Sequence, residues 1–248
     1  MKIKTALSIS LLFIFFSIAL LIVSCNQSTL TNKDLQDINV ISAVIDIHQS
    51  LEKQNENNAT VELYDSERHE IRNDTIKVFI NGSKFDYTVE NGLYYTKDYY
   101  YYNQNFEPID NKYKLEIELP NGKRFFLAEI MVLKPVKAQD VLCAKNGNLD
   151  KDFAFSWKNM GDVNQLIIEK SIKTTNPKEP TVTTYNSDMD TLKISNAGSF
   201  VIPKAGKNEQ VSILNFIANQ IGTLNPKLLK NSQIAITGEL EIRLETGL

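Results

Sequence analysis

The sequence predicts an all-β protein of two tandem antiparallel β-sandwich domains, residues 38–135 and 136–248, behind an export signal. Three observations carry this. Stretches of alternating apolar and polar residues recur about every ten residues, the spacing of short strands in a sandwich. Asn-Gly pairs at 81–82, 91–92 and 121–122 punctuate them. The pattern stops at Lys134-Pro135 and restarts at Phe153-Ala154-Phe155-Ser156-Trp157.

Ile38 to Gln49 fits two periods. Val40, Val44, Ile47 and Leu51 suit a helix, and Ile41, Ala43, Ile45 and Ile47 suit a strand. β-Branched content favours the strand. Residues 52–58 are polar and Ala59 to Tyr64 alternates, so the pair reads as a hairpin with a long loop. Thr75 to Ile80 alternates up to Asn81-Gly82, a pair that accepts the positive φ angles of a type I′ turn. Phe85 to Val89 is the expected return strand. Tyr94, Tyr95 and Tyr99 to Tyr102 form an aromatic stretch, and Tyr113 to Leu119 with Phe125 to Leu133 make a third hairpin.

In the second half, Phe153 to Trp157 carries the only Trp, and Gln165 to Lys170 follows. Residues 174–190, with Pro177 and Pro180, read as a polar loop. Gly198 to Pro203, Val211 to Ile217 and Ile234 to Leu244 read as strands, and Asn225 to Leu229 as a helical turn. No exact repeat relates the halves.

Val78-Phe79-Ile80-Asn81-Gly82, Tyr113-x-Leu115-x-Ile117, Asn121-Gly122-Lys123 and the closing Pro135 resemble Ig-like modules of Bacteroidetes lipoproteins. A strand ending in Ser156-Trp157, followed by Leu166-Ile167-Ile168, resembles Ig-like or fibronectin-III-like modules. There the Trp belongs to the core between sheets. Such modules serve many functions, so the resemblance implies fold and not activity.

At the amino terminus, Lys2 and Lys4 precede an apolar run from Ala6 to Val23, the pattern of a secretory signal. Ile22-Val23-Ser24-Cys25 resembles the lipobox of bacterial lipoproteins. The resemblance implies cleavage between Ser24 and Cys25, removal of residues 1–24, and diacylglyceryl and acyl (palmitate-type) groups on Cys25. Several acyl chains anchor stably at ~0.8 kcal/mol per buried methylene. The alternative is an uncleaved membrane anchor, since a spanning helix needs roughly 20 residues. Position 26 is Asn and not the Asp that retains some lipoproteins at the inner membrane, and no acidic run follows Cys25. Both point to the outer membrane, facing the periplasm. Residues 25–37 are polar and read as a flexible tether.

Removing residues 1–24 of 248 leaves 224, enough for two ordinary domains. Lys2 and Lys4 leave with the signal, taking the net charge from −3 to −5. No basic run is present, which argues against nucleic acid as a partner. With Cys25 assigned to lipid, Cys143 is the one remaining thiol; it has no intramolecular disulfide partner and reads as a buried small apolar residue.

Chemistry-bearing patterns are sparse. His48 and His69 have no second His or Cys at ligand spacing, so no metal site or cofactor is implied. No Gly-x-Ser-x-Gly elbow occurs, and the alternative of a hydrolase needs a site assembled in space, which a deep cleft holding His48 or His69 beside carboxylates would reveal. Glu116 and Glu118 share one strand face and Asp188 and Asp190 one expected loop, whereas a glycosidase needs carboxyls opposed across a cleft. Asn146 to Asp152 starts like a calcium loop, but lacks the central Gly and places Trp157 where the bidentate Glu belongs, so it reads as a linker. Tyr95, Tyr99, Tyr100, Tyr101 and Tyr102 are the candidate binding residues, for a glycan or an envelope protein. The alternative is amphipathic cover on an edge strand. Four successive Tyr point to both faces of a strand, so about half lie outside the core. Asp74-Thr75-Ile76 and Asp190-Thr191-Leu192 resemble the Bacteroidetes O-glycosylation sequon, with Thr75 at a strand start and Thr191 in a loop. The function expected is that of a lipid-anchored, non-enzymatic binding or scaffold module.

Overall fold

A computed structural model describes residues 27–93, 97–176 and 179–245, with side chains described outside 175–183. Ser24, Cys25, Tyr94 and Tyr95 lie outside the described residues.

The described chain is all-β, as the alternation and turn signals predict. Its strands are β1 (Ser42–Ser50), β2 (Asn57–Tyr64), β3 (Lys77–Ile80), β4 (Ser83–Lys84), β5 (Asp86–Asn91), β6 (Lys97–Gln104), β7 (Lys112–Glu118) and β8 (Arg124–Met131). They continue with β9 (Val141–Cys143), β10 (Phe153–Trp157), β11 (Gln165–Asn176), β12 (Glu179–Lys193), β13 (Gly198–Ile202), β14 (Glu209–Ile221), β15 (Thr223–Leu224) and β16 (Gln233–Arg243). An eight-stranded sheet runs β12-β11-β14-β16-β1-β2-β6-β5, a five-stranded sheet β15-β8-β7-β3-β4, and a three-stranded sheet β13-β10-β9. The five-stranded sheet packs on the β1, β2 and β6 end of the large sheet. The three-stranded sheet packs on its β11 and β14 end, where Trp157 meets Phe216 edge-on at 6.2 Å between ring centroids. The Trp thus lies between sheets, as expected, and donates Nε1–H to Ser195 O at 3.0 Å.

The two halves are joined through their sheets. β16 lies parallel beside β1, with Val44 opposite Gln233 and Ser50 opposite Glu239. β15 of the second half adds to β8 of the first. Close packing at the junction requires Gly238. A Cβ there would lie 2.5 Å from Leu133 Cδ1 and 2.6 Å from Leu51 Cδ2. Buried Gln49 closes the junction by donating to Leu133 O at 3.0 Å and accepting from Leu133 N at 3.3 Å.

Four expectations are corrected. Residues 174–176 and 179–190 lie not in a loop but in the β11–β12 hairpin, whose described side chains at 184–190 are all exposed, so the segment carries no apolar alternation. The return strand after Asn81-Gly82 pairs with β3 through Ser83 and Lys84 and ends its contact there with Phe85 N donating to Val78 O at 2.9 Å. Buried Phe85 marks the point where the chain then crosses to the large sheet. Asn225 to Leu229 is a hydrogen-bonded turn and not a helix, with Leu228 N donating to Asn225 O at 3.1 Å.

The fourth concerns the expected flexible tether. Its described residues, 27–37, are seated on the body. Gln27 bridges Glu70, Ser28 N donates to Glu70 O at 2.9 Å, and Leu35 is fully buried. Asp34 accepts from Thr31 N and Oγ1, closing a turn, and Asn121 Nδ2 donates to Gln36 O at 3.1 Å. Burial of Leu35 contributes roughly 2 kcal/mol, an apolar term that the polar composition of the segment conceals.

Candidate functional site

The tyrosine stretch divides as strand geometry demands. Tyr101 points into the core at 2% exposure, and its hydroxyl donates to Asn73 O at 2.6 Å. Tyr87 lies opposite it on β5, with ring centroids 5.3 Å apart. Tyr99 faces the same way. The Arg72 guanidinium covers its ring at 4.3 Å, and Glu70 holds both Arg72 Nε and Tyr99 N. Burial pushes the Tyr87 phenol up to about 12 and raises that of Tyr101 further. These three rings are structural, so Tyr99 and Tyr101 leave the candidate binding set.

Tyr100 and Tyr102 point to the other, uncovered face of the large sheet. β5 is its edge, and on this face the alternate side chains of β2, β1 and β16, from Thr60 and Glu62 through Val44, Asp46 and His48 to Thr237 and Glu239, are half-exposed or exposed. Tyr102 sits between Asp86 on β5 and Thr60 on β2, and Tyr100 opposite Thr88. The Tyr100 hydroxyl donates to Glu90 Oε2 at 2.9 Å, and the carboxylate pushes the phenol up. The Tyr102 hydroxyl donates to Gln104 Oε1 at 3.2 Å. The Tyr64 hydroxyl donates to Glu62 on the same face of β2. The result is a half-exposed aromatic surface fringed by carboxylates and an amide. Ring faces take apolar C–H surfaces, and the carboxylates accept hydrogen bonds from hydroxyl groups. The carboxylates were not identified from sequence, because their place beside the rings depends on cross-strand register.

The histidines do not assemble into a nucleophilic site. His69 Nδ1 lies 3.6 Å from Asp65 Oδ2 and 3.5 Å from Glu67 Oε2. Asp65 also accepts from the Ser28 side chain and from the backbone N–H groups of Glu67 and His69. Burial pulls its carboxyl up, but these hydrogen bonds and His69 outweigh it and hold the carboxyl below its usual range. Asp65 thus stands between Ser28 and His69, whereas base activation requires the His in the middle. His48 is exposed on β1 and lines a shallow depression of about 400 Å³ with Glu56 and Glu239.

The larger depression, about 530 Å³, lies on the outer face of the five-stranded sheet by Asn81, Ile109 and Lys114. Its cations are paired, Lys112 to Glu129 at 3.2 Å and Lys114 to Glu116 at 3.6 Å, and Arg124 beside it also meets Glu116 at 3.2 Å. Glu118 pairs with Lys77 at 2.6 Å, which holds its carboxyl down. Glu116 and Glu118 thus form a solvated, ion-paired face. Asp188 and Asp190 lie on β12, not in a loop, and both flank Lys170, raising its pKa chiefly through the Asp190 hydrogen bond.

Among the described residues no group of three His, Cys, Asp or Glu could hold a metal ion. The Asn146–Asp152 segment is engaged by the body: Val211 N donates to Gly147 O at 2.8 Å and Lys204 N to Asp152 Oδ1 at 2.9 Å. Cys143 is half-buried rather than buried, and that burial pushes its thiol up. Both sequon threonines are exposed with their expected settings exchanged. Thr75 lies in a turn, its hydroxyl donating to Asn73 Oδ1 at 2.6 Å, and Thr191 on edge strand β12.

No protein-family model matches the chain, and a search of curated proteins gives no match. Among solved structures it is similar to the adhesin InvE of Yersinia pseudotuberculosis, at 10% identity and a TM-score of 0.26, covering 85% of this chain and 60% of that one. It is similar to the Escherichia coli adhesin FdeC at 10% identity and a TM-score of 0.25, covering 79% and 63%. It is also similar to the Bacteroides ovatus protein SGBP-B of a mixed-linkage glucan utilization locus, solved with a heptasaccharide, at 11% identity and a TM-score of 0.19, covering 84% and 63%. The chain therefore spans about three fifths of the length of each of these chains.

Proposed function

We propose that this protein is a lipid-anchored lipoprotein of the bacterial envelope, most simply of the outer membrane, acting as a non-enzymatic binding module. The anchor reading rests on Ile22-Val23-Ser24-Cys25. The binding reading is carried by one observation, the outward display of Tyr100 and Tyr102 on an uncovered sheet face beside Glu90, Asp86 and Gln104. The ligand class that this chemistry fits best is a neutral glycan, whose ring C–H faces stack on the tyrosines. An envelope protein partner is the second reading, since the half-exposed face continues from β6 across β2, β1 and β16.

A glycan array with the soluble domain (residues 27–248) and its Tyr100→Ala/Tyr102→Ala double variant tests this. Binding by the parent that is lost in the variant, with an unchanged melting temperature, supports the glycan reading. Equal binding by both removes the tyrosine face from the function.

A further inference from the structure

The seated segment 27–37 sets how the body meets the membrane. The following inference rests on the anchor reading above. Gln27 is held at Glu70, Glu70 bridges Tyr64, and Tyr64 lies opposite Ser42 at the start of β1. The anchor therefore enters at the pole of the molecule where β1 begins. From Cys25 to Gln27 there are two residues, and an extended chain reaches about 7 Å over that distance. No slack remains for a tether.

The rest of the large sheet points the other way. β16 runs parallel to β1 and continues to Arg243, beyond the end of β1. β14 pairs with β16 from Ala235 to Arg243, β11 joins β14 only from Ile217 onward and β12 joins β11, so that Arg243, Ile213, Glu169 and Met189 share one level at the far end. From the level of Ser42 to that of Met189 the rise along the strands is about 40 Å. The β11–β12 hairpin extends further in the same direction.

We propose that the pole formed by the turn at Asp65–His69, the β7–β8 turn and the segment 27–37 rests against lipid headgroups, so that the β11–β12 hairpin is held at the far end of the molecule. The partner surface is a bilayer. At this pole exposed Lys33, Arg68, Lys123, Lys227 and Lys230 stand among Asp34, Asp37, Glu67 and Asp74, a near balance of charge, so the contact depends chiefly on the acyl chains. The aromatic face of β6 lies on the flank and stays open to a ligand.

The test uses the full lipidated chain, carrying Cys143→Ser, in phosphatidylethanolamine–phosphatidylglycerol vesicles with headgroup-level nitroxide quencher lipids. A fluorophore is placed on Ser66→Cys, at the pole, or on Ser187→Cys, on the hairpin; both positions are exposed. Quenching is expected to be several-fold stronger at 66 than at 187, to persist in high salt, and to fall at 66 when a long Gly/Ser linker is inserted after Asn26. Equal quenching at the two sites in a chain shown by mass to be lipidated overturns the inference alone. A chain carrying no lipid on Cys25 overturns the anchor reading and the inference with it.

Discussion

At the scale of residues, neighbouring tyrosines divide between structure and display. Tyr101→Phe removes the hydrogen bond to Asn73 O and is expected to lower stability by about 1 kcal/mol in chemical denaturation. Tyr100→Ala, on the open face, should change stability little while removing ligand binding. The buried phenols also set an alkaline limit. The Tyr87 pKa is raised to about 12 in the folded state, above its usual value of 10.0. Folding therefore favours its protonated form. That contribution is complete below pH 10 and is lost as pH rises towards 12. Denaturation midpoints followed from pH 9 to 12 should fall in the parent and fall less steeply in Tyr87→Phe; equal slopes would remove Tyr87 from the effect.

At the scale of elements, the β1–β16 pair decides how the halves relate. Its packing against Leu51 and Leu133 leaves no room for a side chain at position 238. Gly238→Ala is expected to destabilise by about 1–3 kcal/mol, the usual range for overpacking, while a Gly206→Ala control, whose added methyl meets nothing within 4 Å, stays near the parent. Thermal or urea melts of the two variants check this. Individual strands were legible in the sequence because period-two alternation and Asn-Gly turns are local signals. Asn81 and Gly82 both take positive φ, at 48° and 85°, as that dipeptide implies. The pairing of β1 with β16 was not legible, since it joins residues 44 and 233 and no local signal reports a partner so distant. The β11–β12 hairpin was hidden for a different reason: both faces of β12 are exposed over 184–190, so a strand there has the composition of a loop.

At the scale of the whole molecule, two sheets carry strands from both halves. Thermal unfolding of residues 27–248 is expected to show one cooperative transition by calorimetry, and the fragment 27–135 to be less stable and prone to associate through the exposed edge of β1. Two separate transitions, or a fragment as stable as the intact chain, would contradict the coupling. The candidate site was half legible. Four successive tyrosines had to alternate across a strand, but which pair faced outward depended on where β6 met β2. The seated amino-terminal segment was missed because Leu30 and Leu35 are its only apolar residues, and the backbone and side-chain hydrogen bonds that seat it beside them leave no pattern in the sequence. Under the proposed lipidation of Cys25, that segment would make the anchor a fixed attachment at one pole and not a loose leash.

The proposed envelope location depends on Cys25, and the intact mass of the protein extracted from its native membrane tests it most directly. The expected mass begins at Cys25 with diacylglyceryl and acyl groups added, is absent from a Cys25→Ala variant, and reports any sugar on Thr75 or Thr191 as a further increment. A mass that retains residues 1–24, or one that begins elsewhere and carries no lipid, would contradict the lipoprotein reading.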